Sequence, residues 1–460
     1  VIGESIKRII RYHGDKVVGD IHLGDWGLQM GLVIMGLKER KPDLVYFDPD
    51  YEGEYPGEAP FTITELEEIY PCASGKSKED PAYKEEAMQA TYELQHGNRG
   101  YLALWNHILE VSITDLKKNY GNLNVEFDLW KKESDAQPYI PDMVSYLKDS
   151  GYAYYSDGAL VVDVKEETDT KEIPPCMILK SDGATLYNTT DLATLVERRR
   201  LFDPDRIIYV VDKRQGLYFE QVFRCAKKTK LVRDDIRLDF LGFGTMNGRD
   251  GQPFRTRDGG VMRLESLLNE VTEAVKERMD TGRGLSEDEA DDAAEKIGLA
   301  AVKYGDLSNQ ATKDYIFDIE RFTSFEGNTG PYIQYTIVRI GSILKKAAGE
   351  GCANADASLN GIVDAQALLA PATDGERALQ LKLTEFQQAV DTAAEEIAPH
   401  RICQFVYELS DAFNSFYHQT KILSEEDPDR KASYIALIAL TRNTLSAGIG
   451  LLGFGAPERM

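Results

Sequence analysis

Apolar residues recur along this chain with two periods. Helical spacing is clearest in Asn328 to Ile340, NTGPYIQYTIVRI, where Ile333, Ile337, Ile340 and the following Leu344 form one stripe that predicts a core-facing helix. Pro331 suits its first position, where a missing N–H costs nothing. Tyr332, Tyr335 and Arg339, at i, i+3 and i+7, fall on a second stripe turned away from the first. Two flat rings beside a guanidinium suit an ordinary amphipathic interface, or stacking on unpaired bases with a grip on phosphate. The opening VIGESIKRIIRYHG has the same period, with Ile2, Ile6, Ile9 and Ile10 on one side and Gly14 as a stop.

Strand-like runs belong to the first half. KVVGDIHLGDWGLQMGLVI reads as a short β-branched strand, a turn rich in Gly and Asp, then an apolar helix start. RIIYVVD (206–212), preceded by a helix around Asp191 to Arg200, continues the alternation of an open parallel sheet. Between Asp48 and Ile178 the pattern loosens. FDPDYEGEYPGEAP reads as a loop, Lys84 to Tyr120 as helical, and GYAYYSDGALVVDV as a hairpin turning at Ser156-Asp157-Gly158. From Ile297 onward the strand pattern stops and helical segments follow one another to the end.

Composition narrows the class. The 460 residues, 42% hydrophobic, are enough for two to four domains with real cores. No run approaches the roughly 18 apolar residues of a membrane span, so no membrane partner is expected. Five cysteines (Cys72, Cys176, Cys225, Cys352 and Cys403) contain no C-x-x-C pair, and the histidines show no metal spacing. A reducing cytoplasm and no protein-built metal site follow as expectations.

A net charge of −24 argues against a protein that simply coats nucleic acid. Locally the sign reverses, since Glu197 to Arg237 holds twelve Lys and Arg against seven Asp and Glu. An acidic body with a basic working surface is expected, able to select one shaped nucleic acid. The acidic run from Glu287 to Glu295 reads instead as a solvated helix start, with Ser286 and Glu289 spaced as a capping box.

Three constellations carry possible chemistry. In GATLYNTTDLATLVERRR, Tyr187 and Asp191 lie four apart at a helix start and face one space. Asp191 there is either a first-turn acid favoured by the helix dipole or a bidentate partner for a guanidinium. Gln215 falls at the C-terminal end of RIIYVVD, where open α/β sheets bind ligands. The second is Gly242 to Leu268, a stretch with six glycines and with Arg249, Arg255 and Arg257, either a solvated turn or mobile cations beside a nucleotide site. The third, His22 to Gln29, reads as a turn packed around Trp26, with His22 left out of nucleotide chemistry.

HLGDWGLQMG, LYNTTD, KYGDLSNQATKDYIFD, NTGPYIQYTIVRI and the terminal GAPERM, in that order, resemble arginyl-tRNA synthetases, which are class I aminoacyl-tRNA synthetases. The resemblance covers nearly the whole chain. It implies an α/β fold: a Rossmann-type parallel-sheet catalytic domain over 1–244, incomplete at its start and with an insertion at about 48–178. An ATP loop and stem-contact region over 245–319 and an all-α anticodon-binding domain over 320–460 would follow. The implied reaction is ATP-dependent activation of L-arginine, with Mg²⁺ assistance, and transfer of the arginyl group to tRNA(Arg).

Residue by residue, the family's arginine pocket falls on Tyr187, Asp191 and Gln215. Its ATP contacts fall near Gly244 and Met246 and on the loop Pro253-Phe254-Arg255-Thr256-Arg257, which stands where other class I enzymes have KMSKS. No lysine is present there, so Arg255 and Arg257 are the candidates for its role. Anticodon-end contacts fall on Tyr332, Tyr335 and Arg339, with Tyr417 and Met460 beside them. The family's His-x-Gly-His motif would lie just upstream of Val1. The full-length parent is therefore expected to be the enzyme, monomeric and cytoplasmic, and these 460 residues alone to be nearly inactive. The alternatives are a non-catalytic tRNA-binding protein derived from a synthetase, and a different class I synthetase.

Overall fold

Helix and strand alternate up to Asn247, and beyond it helices dominate. The computed structural model describes residues 1–252, 263–279 and 286–460. Its first element, α1 (Ile2–His13), ends at Gly14 with φ 118°, a left-handed conformation that glycine adopts without strain. The strand β1 (Asp20–Leu23) is shorter than KVVGDIHLG predicts, and α2 (Leu28–Arg40) follows. Next come α3 (Ile63–Glu79), α4 (Pro81–Gln95) and α5 (Arg99–Asn122), before β2 (Leu129–Lys132) returns to pair with β1 in parallel.

The helix α3 had no place in the sequence reading. Its start is marked by a capping box in which Thr62 and Glu65 satisfy each other's amides, and Pro71 sits within it. After α6 (Ile140–Asp149), the strands β3 (Ala153–Ser156), β4 (Ala159–Val162) and β5 (Cys176–Leu179) form an antiparallel sheet. The predicted hairpin turn is there: Asp157 and Gly158 both have positive φ, 49° and 82°, as a two-residue turn demands.

The parallel pattern then resumes with α7 (Tyr187–Phe202), β6 (Arg206–Asp212), α8 (Gly216–Lys228) and β7 (Arg237–Phe243). RIIYVVD is β6 in full, paired residue for residue with β7. A two-residue strand β8 (Met246–Asn247) follows, then α9 (Leu264–Arg278) and α10 (Glu287–Leu307), whose Ser286 and Glu289 form the predicted capping box. The expectation that strands stop at Ile297 needs correction. Strand β9 (Tyr315–Ile316) pairs in parallel with β8, and two residues are too few to carry a period.

The remainder is α11 (Ile319–Phe322), α12 (Gly330–Gly349), α13 (Ala355–Leu359), α14 (Asp374–Thr384), α15 (Phe386–Glu395), α16 (His400–Gln419) and α17 (Pro428–Leu451). The predicted stripe of α12 is buried, and it shares one core with Phe413, Phe416, Ile435 and Leu445. Ile9 of α1 belongs to that same core. By length and composition α17 could cross a membrane, yet two-thirds of its apolar window is buried inside the protein, as in a core helix. A separate core under the strands gathers Val162, Ile178, Leu192, Leu195 and Val222.

Lys303 of α10 ties three distant segments together. It is fully buried, and its ammonium donates to the carbonyls of Leu123 at 2.6 Å, Gly453 at 2.9 Å and Asn124 at 3.3 Å. Burial and the nearby Arg8 push its pKa down to about 7, while three acceptors match the three donors of an ammonium. Gly453 has φ +83°, and a Cβ there would stand 2.4 Å from the Lys303 Nζ, so a side chain would be strained and would displace the ammonium from its carbonyls.

Candidate functional site

The first turn of α7 is bolted to β5 by Thr189. Its hydroxyl donates to the Ile178 carbonyl at 2.6 Å and accepts from the Leu186 amide at 3.1 Å. That fixes Tyr187 and Asp191 on the turns above the strand ends. Tyr187 is 51% exposed, and its hydroxyl accepts from Gln29 Nε2 at 3.0 Å. Asp191 points inward, where the Tyr218 hydroxyl of α8 donates to its Oδ2. Gln215 ends the 3-10 turn after β6 and directly precedes α8, so it stands in the turn that delivers Tyr218. Two neighbouring turns thus carry the three predicted residues.

Residues to which the sequence assigns no ligand role stand beside Asp191, Asp25 among them, which reads in the sequence only as part of a packed turn. Asp25 is 1% exposed and accepts from the Ser134 amide at 3.0 Å and hydroxyl at 2.6 Å. Glu133 is pushed up to about 7, first by burial and then by the charges of Asp25 and Asp191, with the Trp26 amide partly offsetting them. Asp191 is raised by burial, and Tyr218 and Arg198 oppose the shift. Burial thus raises the carboxyl groups of Asp25, Asp191 and Glu133 alike, an arrangement that a cationic ligand relieves. No local signal marks Glu133: in WKKES it reads as one more solvated charge, because Asp25 and Asp191 are distant in sequence.

The adjoining turn is packed as expected. Trp26 meets Trp105 edge to face at 5.3 Å, and Trp105 Nε1 donates to the Asp25 carbonyl at 2.9 Å. His22 is held near pKa 4 by burial and by Arg198, and is neutral at physiological pH. On the same side chain network, buried Arg198 donates to Asp20 and Tyr209, both at 2.8 Å.

At the predicted ATP contacts, the geometry singles out the Met246 peptide. The carbonyls of Thr245 and Asn247 accept the amides of Tyr315 and Phe317, so the alternating Met246 groups face the opposite edge of β8. Gly244 is required by close approach, since a Cβ there would lie 2.4 Å from the Lys313 backbone. Arg255 and Arg257 lie outside the described residues. Arg249 is not a mobile cation, because it is ion-paired with Asp318 at 2.7 Å and Glu320 at 2.5 Å.

The second stripe of α12 meets α16. Arg339 lies over the Tyr335 ring at 4.6 Å and the Tyr417 ring at 5.7 Å, and donates to Asn414 Oδ1 at 2.8 Å. Tyr332 donates to Asp411 at 2.6 Å, accepts from Asn414 at 2.9 Å, and packs beside Tyr407. Four predicted residues, Tyr332, Tyr335, Arg339 and Tyr417, thus form one aromatic and cationic face. Met460 is elsewhere, packed with Met279 and Phe325 against α9 and α10. The supporting residues Asp411 and Asn414 were missed, although with Tyr407 and Tyr417 they recur at helical spacing along α16.

The basic surface expected between Glu197 and Arg237 is largely neutralised within the protein. Arg224 pairs with Asp169 and Glu220, Arg233 with Asp203, Asp205 and Asp235, and Lys213 with Asp314. Arg206 and Arg237 share Asp239, and Arg237 also reaches Glu395. A count over a sequence window misses carboxylates such as Asp169, Asp314 and Glu395, which come from other elements.

Comparison with known proteins agrees with this architecture. Residues 1–319 match the family described as tRNA synthetases class I (R), catalytic domain, and residues 333–460 match the DALR anticodon binding domain. The whole chain is 61% identical to an arginine–tRNA ligase of Agathobacter rectalis and 58% identical to one of Alkaliphilus oremlandii, spanning 77% of each. The crystal structure of the arginyl-tRNA synthetase of Plasmodium falciparum superposes on the full chain with a TM-score of 0.81 at 25% identity, over 73% of its own length. With a class I catalytic domain over more than half its residues and an anticodon-binding domain behind it, this chain belongs to the arginyl-tRNA synthetases.

Proposed function

We propose that the pocket between the turn at Asp25, the first turns of α7 and the start of α8 is the arginine site of this aminoacyl-tRNA ligase. The activity itself follows from the family: arginine is activated with ATP and joined to tRNA. The observation that carries the site reading is Asp191, a half-buried carboxylate with Tyr218 on one oxygen and Glu133 nearby. A guanidinium offers planar paired donors and a permanent charge, which suit two such carboxyls better than an ammonium does. Tyr187 and Gln215 stand at the rim and add polar contacts to the rest of the substrate.

The arginine carboxylate attacks the α-phosphorus of ATP, giving arginyl-adenylate and pyrophosphate; a terminal ribose hydroxyl of tRNA(Arg) then takes the arginyl group and AMP leaves. Neither step needs a covalent enzyme intermediate, so the protein's contribution is orientation and charge stabilisation. The exposed peptide edge of Met246, beside Gly244, is the proposed adenine contact, and Arg255 and Arg257 the proposed phosphate contacts. Mg²⁺ enters this scheme on the ATP phosphates. For the anticodon end of the tRNA, the proposed surface is Tyr332, Tyr335, Arg339 and Tyr417, whose rings and guanidinium suit stacked bases. Met460, packed against α9 and α10, is the outlying member of that proposal. The proposed division of labour is 1–244 for activation, with 48–178 as its elaboration, 245–319 for the ATP loop and acceptor stem, and 320–460 for the anticodon. A cytoplasmic monomer is the proposed working form.

Calorimetric titration with L-arginine tests the pocket. Asp191→Asn keeps the shape and removes the charge, and arginine affinity is expected to fall at least about 30-fold, the lower end for truncating one partner of a hydrogen-bonded charge pair. Unchanged affinity would move the arginine site elsewhere.

A further inference from the structure

We propose that Tyr218 is a positioning residue for arginine recognition: its hydroxyl, donated to Asp191 Oδ2, keeps that carboxylate ionised and leaves Oδ1 for the substrate guanidinium. The inference rests on the arginine site proposed above. Three observations carry it. Tyr218 stands in the first turn of α8, on a different element from Asp191, so the bond fixes the carboxylate from outside its own helix. Its ring is held edge to face against Phe219 at 5.0 Å and packs on the core under the strands, which leaves the hydroxyl little freedom to turn away. And the hydroxyl is itself driven far toward its protonated form by burial and by Asp191, so it keeps the proton that it donates to the carboxylate.

The groups acting on Asp191 divide by sign. Tyr218 and Arg198 favour its ionised form, while burial and the Glu133 carboxyl oppose it; Tyr209, beside Arg198, is neutral at working pH. Arg198 donates to Asp20 and Tyr209 and acts on Asp191 through its charge alone, with no hydrogen bond to it. Without the Tyr218 donor, protonation of Asp191 extends to higher pH, and a cationic substrate then meets a neutral acid.

The test is titration of L-arginine into the wild-type, Tyr218→Phe and Asp191→Asn proteins at pH 6 and pH 8. Tyr218→Phe keeps the packed ring and removes one oxygen. Its arginine affinity is expected to fall about tenfold at pH 6, the lower end for a lost hydrogen bond to a charged group, and the gap is expected to narrow clearly by pH 8. Wild-type affinity for Tyr218→Phe at pH 6 overturns the proposal. An equal loss at both pH values overturns it too, because that is the mark of damaged packing. If instead Asp191→Asn binds arginine like the wild type, it is the pocket reading itself that fails, and the Tyr218 role with it.

Discussion

The proposed arginine site and the face on α12 are both polar, but they are built by opposite rules. Around Asp191 the protein withdraws carboxyl groups from water and sets them near one another, so burial and mutual charge push Glu133 and Asp191 toward neutrality. Along α12 the groups are already matched: Arg339 between two rings and on Asn414, Tyr332 between Asp411 and Asn414. The first surface gains most when a cation arrives, which makes it selective for charge. The second is preformed, and the ordering cost of its side chains has been met in folding. Selectivity by unsatisfied charge and recognition by prepared shape suit a small fixed substrate and a large flexible one respectively.

The contrast breaks first if the α12 face does not touch tRNA. Tyr335→Ala combined with Arg339→Ala is expected to weaken tRNA(Arg) binding by about 10- to 100-fold, from roughly 1–3 kcal/mol per lost stacking contact. Arginine titration of the same protein is expected to be unchanged. Filter binding of tRNA at wild-type strength would return the stripe to an ordinary interface.

A smaller effect sharpens the pocket's side of the comparison. Because Glu133 is raised from 4.5 to about 7 in the folded protein, the folded state holds its proton more tightly than the unfolded chain. Its contribution is most favourable below pH 4.5 and is lost as pH rises through 7. Glu133→Gln is therefore expected to raise the melting temperature at pH 8, by an amount on the order of 2 kcal/mol in stability, and to leave it unchanged at pH 4. The same substitution is expected to weaken arginine. Melting curves at the two pH values decide it, and a variant less stable at pH 8 would show that the carboxylate is not under strain.

The smallest expected change is on the α12 side. Tyr332→Phe removes a hydroxyl whose bonds to Asp411 and Asn414 are internal, so stability is expected to fall by about 1 kcal/mol while tRNA binding moves less than about threefold. A larger loss of binding would mean that the hydroxyl itself meets the RNA.

What the sequence makes legible is set by range. β6, the Asp157-Gly158 turn, the Ser286 capping box and the buried stripe of α12 are each dictated by residues within a few positions, and each can be read directly. The placing of Asp191 beside Tyr187 on a helix start was legible for the same reason, while its arginine role came only from the resemblance. Glu133, Asp25 and Tyr218 were not, because their meaning lies in one another and the chain brings them together across separate elements. The pairing of Arg224 with Asp169 and of Lys213 with Asp314 hid in the same way, and turned an apparent basic surface into a set of internal bridges. β8 and β9 escaped for want of length.

The seat of α1 has a consequence for how the protein is made. Ile9 is buried in a core otherwise built by α10, α12 and the helices up to α17, and Ser5 donates to the Leu451 carbonyl. During synthesis at about 5–20 residues per second, the apolar side of α1 waits on the order of half a minute for the helices that will cover it. The catalytic half therefore cannot finish folding as a unit while the rest is still on the ribosome. A cut between the two halves would leave an apolar face open on each piece, α1 on one and its seat on the other.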